Sequence, residues 1–106
     1  MSNTYKLSGE ARNDLIHING STFEDNPPAA NRFLRAFNRK CQLLAQFPEM
    51  GGQWKDLRPP LRSFPVSKHL IFYPPVKGGI EVMRVISGYQ DLTAIFPELG
   101  EGEEDA

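Results

Sequence analysis

The stretch that most constrains this chain is "LRSFPVSKHLIFYPPVKGGIEVMRVISG", residues 61–88. Branched and aromatic residues recur there with a period of two, which is the geometry of strands, and turn residues interrupt the run. Three strands are expected. "LRSFPVS" puts Arg62, Phe64 and Val66 on one side, and Pro65, which has no N–H to give a ladder, marks an edge or bulged strand. "HLIFYPP" is apolar on both faces, with Leu70 and Phe72 against Ile71 and Tyr73. "GIEVMRVISG" sets Ile80, Val82 and Ile86 against Met83 and Val85, and "VKGG" between the last two strands is a hairpin turn whose Gly78 and Gly79 can take positive φ. A sheet that is apolar on both faces must be covered twice. A pair of helices shields one face, which leaves the other to a further layer, a C-terminal segment or a partner, and a companion chain is the expected cover.

The helices lie upstream. "TYKL", residues 4–7, is a short strand that runs into Ser8, an N-cap for a helix opening with Glu10 in its first turn. Ala11, Leu15, Ile18 and Thr22 give that helix one apolar stripe, and "NGS" at 19–21 weakens it locally. A second helix is bounded by Asn26 as cap, Pro27 and Pro28 in the first turn, and Pro48 beyond the end. Ala30, Phe33, Leu34, Phe37, Cys41, Leu44 and Phe47 form its apolar face, and Arg32, Arg35 and Arg39 recur on the other side as a solvated basic row. The short link makes an antiparallel αα-hairpin. The expected fold is therefore α+β, an N-terminal strand and an antiparallel two-helix hairpin packed on an antiparallel β-sheet.

A length of 106 residues sets one domain with one core. It divides into a body, 1–97, and an acidic tail, 98–106, which holds Glu98, Glu101, Glu103, Glu104 and Asp105 and no base. Without the tail the net formal charge of -1 becomes about +4, a mild basic bias. The tail is expected to be a solvated segment; the alternative is that it folds back on the basic body. No apolar run reaches the roughly 18–20 residues of a membrane span and the opening residues do not form a secretory signal, so a cytoplasmic protein is expected. Cys41 is the single cysteine and suits a packed helix face, and no spacing suggests a metal site or a cofactor.

Between helices and sheet lies a loop, "PEMGGQWKDLRPP", with Trp54 either as a flap over the core edge or as an anchor for a partner. Polar contacts are expected from Arg58, Arg62, His69, Arg84 and Asp91 around the sheet. A histidine at a strand start is more commonly a surface or hydrogen-bonded residue than a catalyst. Arg84 has an alternative role as the ion-pair partner of Asp91 or Glu81.

The order of these elements resembles the ParE/RelE superfamily of bacterial toxins from type II toxin-antitoxin pairs, from about Tyr5 to Phe96. "YKLSGEARNDLIHI", "LLAQFPEMG", "LRPPLRSFPVSKHLIFYPP" and "IEVMRVISGYQDL" resemble the ParE branch in particular. The resemblance implies a toxin neutralised by a co-encoded antitoxin, for ParE a ribbon-helix-helix protein of the ParD type, and a target in DNA gyrase. RelE-like relatives instead cut messenger RNA at the ribosome. Where that branch carries an arginine and then a tyrosine, this chain has Gln90, then Ile95 and Phe96, which removes a cation and a hydroxyl that RNA cleavage would use. A non-enzymatic protein is therefore expected, with no catalytic residue and no sequence-specific nucleic acid binding of its own. The alternatives are a RelE-like ribonuclease and a detoxified module that keeps only antitoxin binding. The sequence also departs from the "H-G-x-R-D" run of many ParE members, reading "SGYQD" with Ser87 and Gln90.

Overall fold

The computed structural model describes residues 3–57, 61–88 and 92–97, and for 21–25 the description is confined to the backbone. The order is β1 (Thr4–Leu7), α1 (Gly9–Asp25), α2 (Pro27–Gln46), β2 (Gly52–Trp54), β3 (Leu61–Val66), β4 (His69–Tyr73), β5 (Pro75–Val76), β6 (Gly79–Val82), β7 (Arg84–Ser87) and α3 (Leu92–Ile95). The fold is the α+β arrangement expected: a strand, a helical hairpin and an antiparallel sheet.

Both caps form as the sequence indicates. Ser8 Oγ accepts from Ala11 N–H at 3.0 Å and donates to the Met83 carbonyl at 2.8 Å, so one hydroxyl starts α1 and fastens it to the sheet. Asn26 Oδ1 accepts from Ala29 N–H at 3.2 Å, with Pro27 and Pro28 in the first turn of α2. Helix α1 continues through Gly20 to Asp25, so only Asn26 separates the two helices.

The sheet is more divided than three strands. Its pairing orders are β2-β3-β4-β7 and β1-β6-β5, all antiparallel except β1, which lies parallel to β6 with Thr4 opposite Gly79. That close approach explains Gly79: its φ is +143°, and a Cβ there would fall 1.8 Å from the Thr4 carbonyl oxygen. β3 is paired on both sides only at Arg62 and Ser63, where β2 lies alongside. Pro65 sits beyond the end of β2, where its missing N–H costs no ladder bond.

The long hairpin has a bulge that alternation does not reveal. Pro75 pairs with Ile80 and Phe72 with Arg84, while the Phe72 carbonyl also accepts from Met83 N–H at 2.8 Å, so Met83 and Arg84 together oppose one residue. The extra residue reverses the facing of all that follows. Ile80, Val82 and Val85 point to the helices, and Met83 and Ile86 to the far side; the expected grouping of Ile86 with Ile80 and Val82 is thereby corrected.

Two clusters fill the two faces. On the helical side Phe37, Cys41 and Leu44 of α2 and Ala11 of α1 meet Val66, Ile71, Tyr73, Ile80, Val82 and Val85. On the far side Leu57, Leu61, Phe72 and Ile86 are buried under Trp54, Leu92, Ile95 and Phe96. The chain itself therefore covers the second face, with α3 and the segment after β2. The expectation that a companion chain must complete that face is overturned: Phe72 and Ile86 are both 0% exposed without one. The apolar face of α2 is also narrower than its periodicity suggests. Leu34 is partly exposed and Phe47 is 61% exposed, because the helix ends at Gln46 and Phe47 turns away as its C-cap.

Candidate functional site: an apolar groove at the end of the second helix

The exposed apolar residues are unevenly distributed. Leu43, Phe47 and Met50 are exposed along the end of α2 and the turn after it, and Val76 is exposed next to Pro75. Gln46, Phe47, Pro48, Glu49, Met50, Arg62 and Pro75 line an open groove of about 700 Å³. An apolar groove left open on a small domain is the usual mark of a protein contact.

The groove has a rigid floor. Tyr73 is fully buried, and its hydroxyl donates to the Pro48 carbonyl at 2.8 Å and accepts from Gly51 N–H at 2.9 Å. Burial pushes the phenol pKa up, against the opposing pull of the Gly51 N–H and the Arg62 charge, so the hydroxyl stays a donor. Arg62 closes the same turn from above, one nitrogen donating to the carbonyls of Glu49 at 2.9 Å and Gly51 at 2.7 Å. Gly51 has to be glycine here. A Cβ would lie 2.5 Å from the Tyr73 hydroxyl and 2.8 Å from the Ser63 carbonyl oxygen.

The polar residues singled out from the sequence are not assembled into one site. Among those in the described residues Arg62 alone reaches the groove, as a clamp on the backbone. Trp54 lies in β2 and not in a loop, because it pairs with Leu61; its indole N–H donates to Ser63 Oγ at 2.7 Å and its ring packs on Phe72 at 5.6 Å. It packs on the far-side core as a half-buried cover.

Arg84 is an ion-pair residue, and among the described residues its partners lie on α1 and do not include Glu81. It meets Asp14 of α1 through two hydrogen bonds of 2.8 and 3.0 Å, and Asp14 also accepts from Val85 N–H at 2.9 Å. Glu10 stands 3.6 Å away and is mostly exposed. Arg84 sits on β7, the last strand of its sheet, where Asp14 of α1 comes within reach of both its side chain and the Val85 N–H. Its hydrogen bonds to Asp14 raise an already high guanidinium pKa, so the charge is fixed. His69 is packed edge-on against Phe33 of α2 with ring centres 5.2 Å apart, and its Nδ1 is buried without a hydrogen-bond partner. Arg58 and Asp91 lie outside the described residues, as do Gln90 and Tyr89.

Cys41 is fully buried, and burial pushes its thiol pKa to about 12, so it is neither a nucleophile nor an accessible sensor. Among the described residues no group of three His, Cys, Asp or Glu side chains is placed to hold a metal ion. Leu43, Phe47, Met50 and Val76 were not among the candidates from the sequence. The one available signal was the break of helical periodicity at "QFPEM", where Pro48 ends α2 and leaves Phe47 no helical neighbour to pack beneath it.

Among the described residues, then, a helical hairpin packs on a sheet closed on both faces, with an open apolar groove beside a turn locked by Tyr73 and Arg62. The family model of the ParE toxin of the type II toxin-antitoxin system, parDE, matches residues 5–92, and the chain belongs to that family. It is thus the toxin component of a type II toxin-antitoxin system, and that family implies an antitoxin partner. No curated protein matches the chain significantly. Among the described residues no helix is long and apolar enough to cross a membrane.

Proposed function

We propose that this toxin is held inactive in the cytoplasm by a cognate antitoxin of the ribbon-helix-helix, ParD-like kind, whose apolar segment covers the groove at the end of α2. When free, it inhibits DNA gyrase by binding and not by cutting nucleic acid. The observation that carries this reading is that exposed Phe47 and Met50 line a preformed groove at the end of α2. The gyrase target rests on membership of the ParE family. The absence of catalysis is supported by what the polar groups already do. The Tyr73 hydroxyl and Arg62 are engaged by the backbone of residues 48–51, and His69 is packed under Phe33 away from both. A metal-free ribonuclease would need such groups free and convergent on one phosphate.

The test pairs the chain with the small protein encoded beside it. Phe47→Asp with Met50→Asp is expected to abolish co-purification while leaving the circular dichroism spectrum unchanged; undiminished co-purification would remove the groove from the interface. Purified chain is expected to block supercoiling by gyrase and to accumulate its cleaved DNA complex. Cut messages in a translating extract would instead show a RelE-like ribonuclease, and binding of the antitoxin with gyrase unaffected would show a detoxified module.

A further inference from the structure

Helix α2 carries Arg32, Arg35, Arg39 and Lys40 and not one carboxylate in its 20 residues. Arg32, Arg35 and Arg39 are exposed, and at 3.6 residues per turn they fall within an arc of about 60° on the side away from Phe37 and Cys41. None of the three forms an ion pair among the described residues. Other cations of the domain are engaged. Arg84 is held by Asp14, Arg62 by two backbone carbonyls, and the Lys40 ammonium lies 5.3 Å from the centre of the Phe64 ring. Arg32 and Arg35 stand three residues apart and Arg35 and Arg39 four, spacings at which like charges on a helix repel. An anion laid along the row relieves that repulsion.

We propose that the arginine row of α2 binds the phosphate backbone of duplex DNA without reading its sequence. The row is straight and about 10.5 Å long at 1.5 Å per residue. One strand of a duplex advances by roughly 3.4 Å per phosphate, so three long guanidinium arms on a rigid helix have three phosphates within their span. The planar fork of arginine suits phosphate oxygens. Asn31 and Gln42 are exposed on the same side of α2 and bring neutral amide donors of the kind that supplement such contacts. Contacts to phosphate alone carry no sequence information.

The surroundings of the row favour a duplex over the other polyanions. The centre of a protein interface is depleted of charge and built on apolar side chains, and the row has no such centre. Leu34 lies about 100° or more round the helix from each arginine, and the exposed apolar residues that begin at Leu43 come after the row, toward the groove. Single-stranded nucleic acid is held by stacking on aromatic rings. Phe33, the one ring within the row's span besides buried Phe37, is turned toward Phe37 and His69. The overall formal charge of -1 does not oppose the contact, because at about 0.1 M salt a charge is felt over only some 10 Å.

Three contacts give weak binding, on the order of 10⁻⁴ M, the loose end of the non-specific range. Such contact concentrates the toxin along DNA, the polymer on which its proposed target works. The inference rests on the free row and not on the groove, and its test contains neither antitoxin nor gyrase.

The full chain is titrated against a short fluorescent DNA duplex, with anisotropy read between about 50 and 200 mM salt. A variant carrying Arg32→Gln, Arg35→Gln and Arg39→Gln is compared with the native chain. Neutralising three contacts is expected to reduce the slope of log affinity against log salt by about 2.7, so the row alone accounts for about a 40-fold loss of native affinity across that range. Lys6→Gln with Arg12→Gln and Lys77→Gln removes the same charge from three other exposed positions and is expected to leave the slope close to native. Equal slopes for the native chain and the arginine variant overturn the proposal, as does an equal fall in the control variant, which would show a general charge effect. Tighter native binding to an octaglutamate peptide than to the duplex at the same salt also overturns it, and would assign the row to an acidic protein. Tighter binding to single-stranded RNA overturns it in favour of that polymer. Circular dichroism and urea midpoints are expected to match among the three chains, since every substituted side chain is exposed.

Discussion

The two faces of the sheet are closed by opposite means. The helical face lies under α1 and α2, where one regular surface supplies Phe37, Cys41 and Leu44 at helical intervals. The far face is closed piecemeal, by Trp54 from an edge strand, Leu57 from the loop beyond it, and Leu92, Ile95 and Phe96 from the last short helix. Both covers are adequate to bury the residues beneath them, since Ile71 and Phe72, neighbours on β4 that point to opposite faces, are each 0% exposed. The comparison teaches that a sheet apolar on both sides is not by itself evidence of a missing partner. A few well-placed side chains can seal about as completely as a 20-residue helix, and the docking surface is then to be sought at an edge, where α2 runs out.

The strongest way to break the comparison is to excavate each face in turn. Phe37→Ala on the helical side and Phe72→Ala on the far side are each expected to cost about 3–5 kcal/mol, as buried aromatic truncations do. Urea denaturation of the two variants measures it. A far face that was merely an open docking surface would lose little from Phe72→Ala, so a small effect there with a large one at Phe37 would reinstate the need for a companion chain. Phe72 is the sharper probe because two aromatic contacts meet there, Trp54 at 5.6 Å and Phe96 at 5.0 Å converging on its ring.

A smaller effect is expected where α1 is tied to the sheet. Asp14 takes two bonds from Arg84 and one from Val85 N–H, and it is little exposed. Asp14→Ala is expected to cost about 1.5–3 kcal/mol, because it strands a charge and a backbone donor together. Glu10→Ala, at 3.6 Å and mostly in water, is expected to change stability by no more than about 0.5 kcal/mol. Equal losses in thermal denaturation would mean that the pair acts through general charge and not through the Asp14 geometry.

What was legible in the sequence follows the same division. Regular elements announce themselves: the caps at Ser8 and Asn26, the Phe37, Cys41 and Leu44 part of the α2 stripe and the alternation through β4 take the places expected of them. Irregular ones do not. The bulge at Met83 and Arg84 depends on register with Phe72, which no local pattern encodes, and it sets the facing of Ile86. The far-face cover comes from residues far apart in sequence, with no shared period. For the groove, the candidate polar residues were chosen for their chemistry, and all but Arg62 among those described turned out to be occupied elsewhere in holding the fold. Exposure of Phe47 depends on where α2 stops, and element ends are the least encoded part of a helix.

The helical face carries one flaw that the far face lacks, and it supplies the smallest and most specific prediction. His69 has its Nδ1 buried with no partner, against the ring of Phe33. Burial lowers its pKa in the folded state from an ordinary value of 6.5. As pH falls, the unfolded chain therefore takes up this proton first, and proton uptake by the unfolded state alone draws the equilibrium away from the fold. The stability in question is fully present above 6.5 and is lost as pH falls from there through the folded-state pKa, below which both states are protonated and the loss stops growing. His69→Gln fills much the same space without a titrating group. Urea midpoints taken between pH 7.5 and 5 are expected to fall more for the native chain than for this variant. Parallel pH curves would mean that the imidazole reaches water easily at the edge of Phe33, and that the helical cover, for all its regularity, is looser at that end than the piecemeal one opposite.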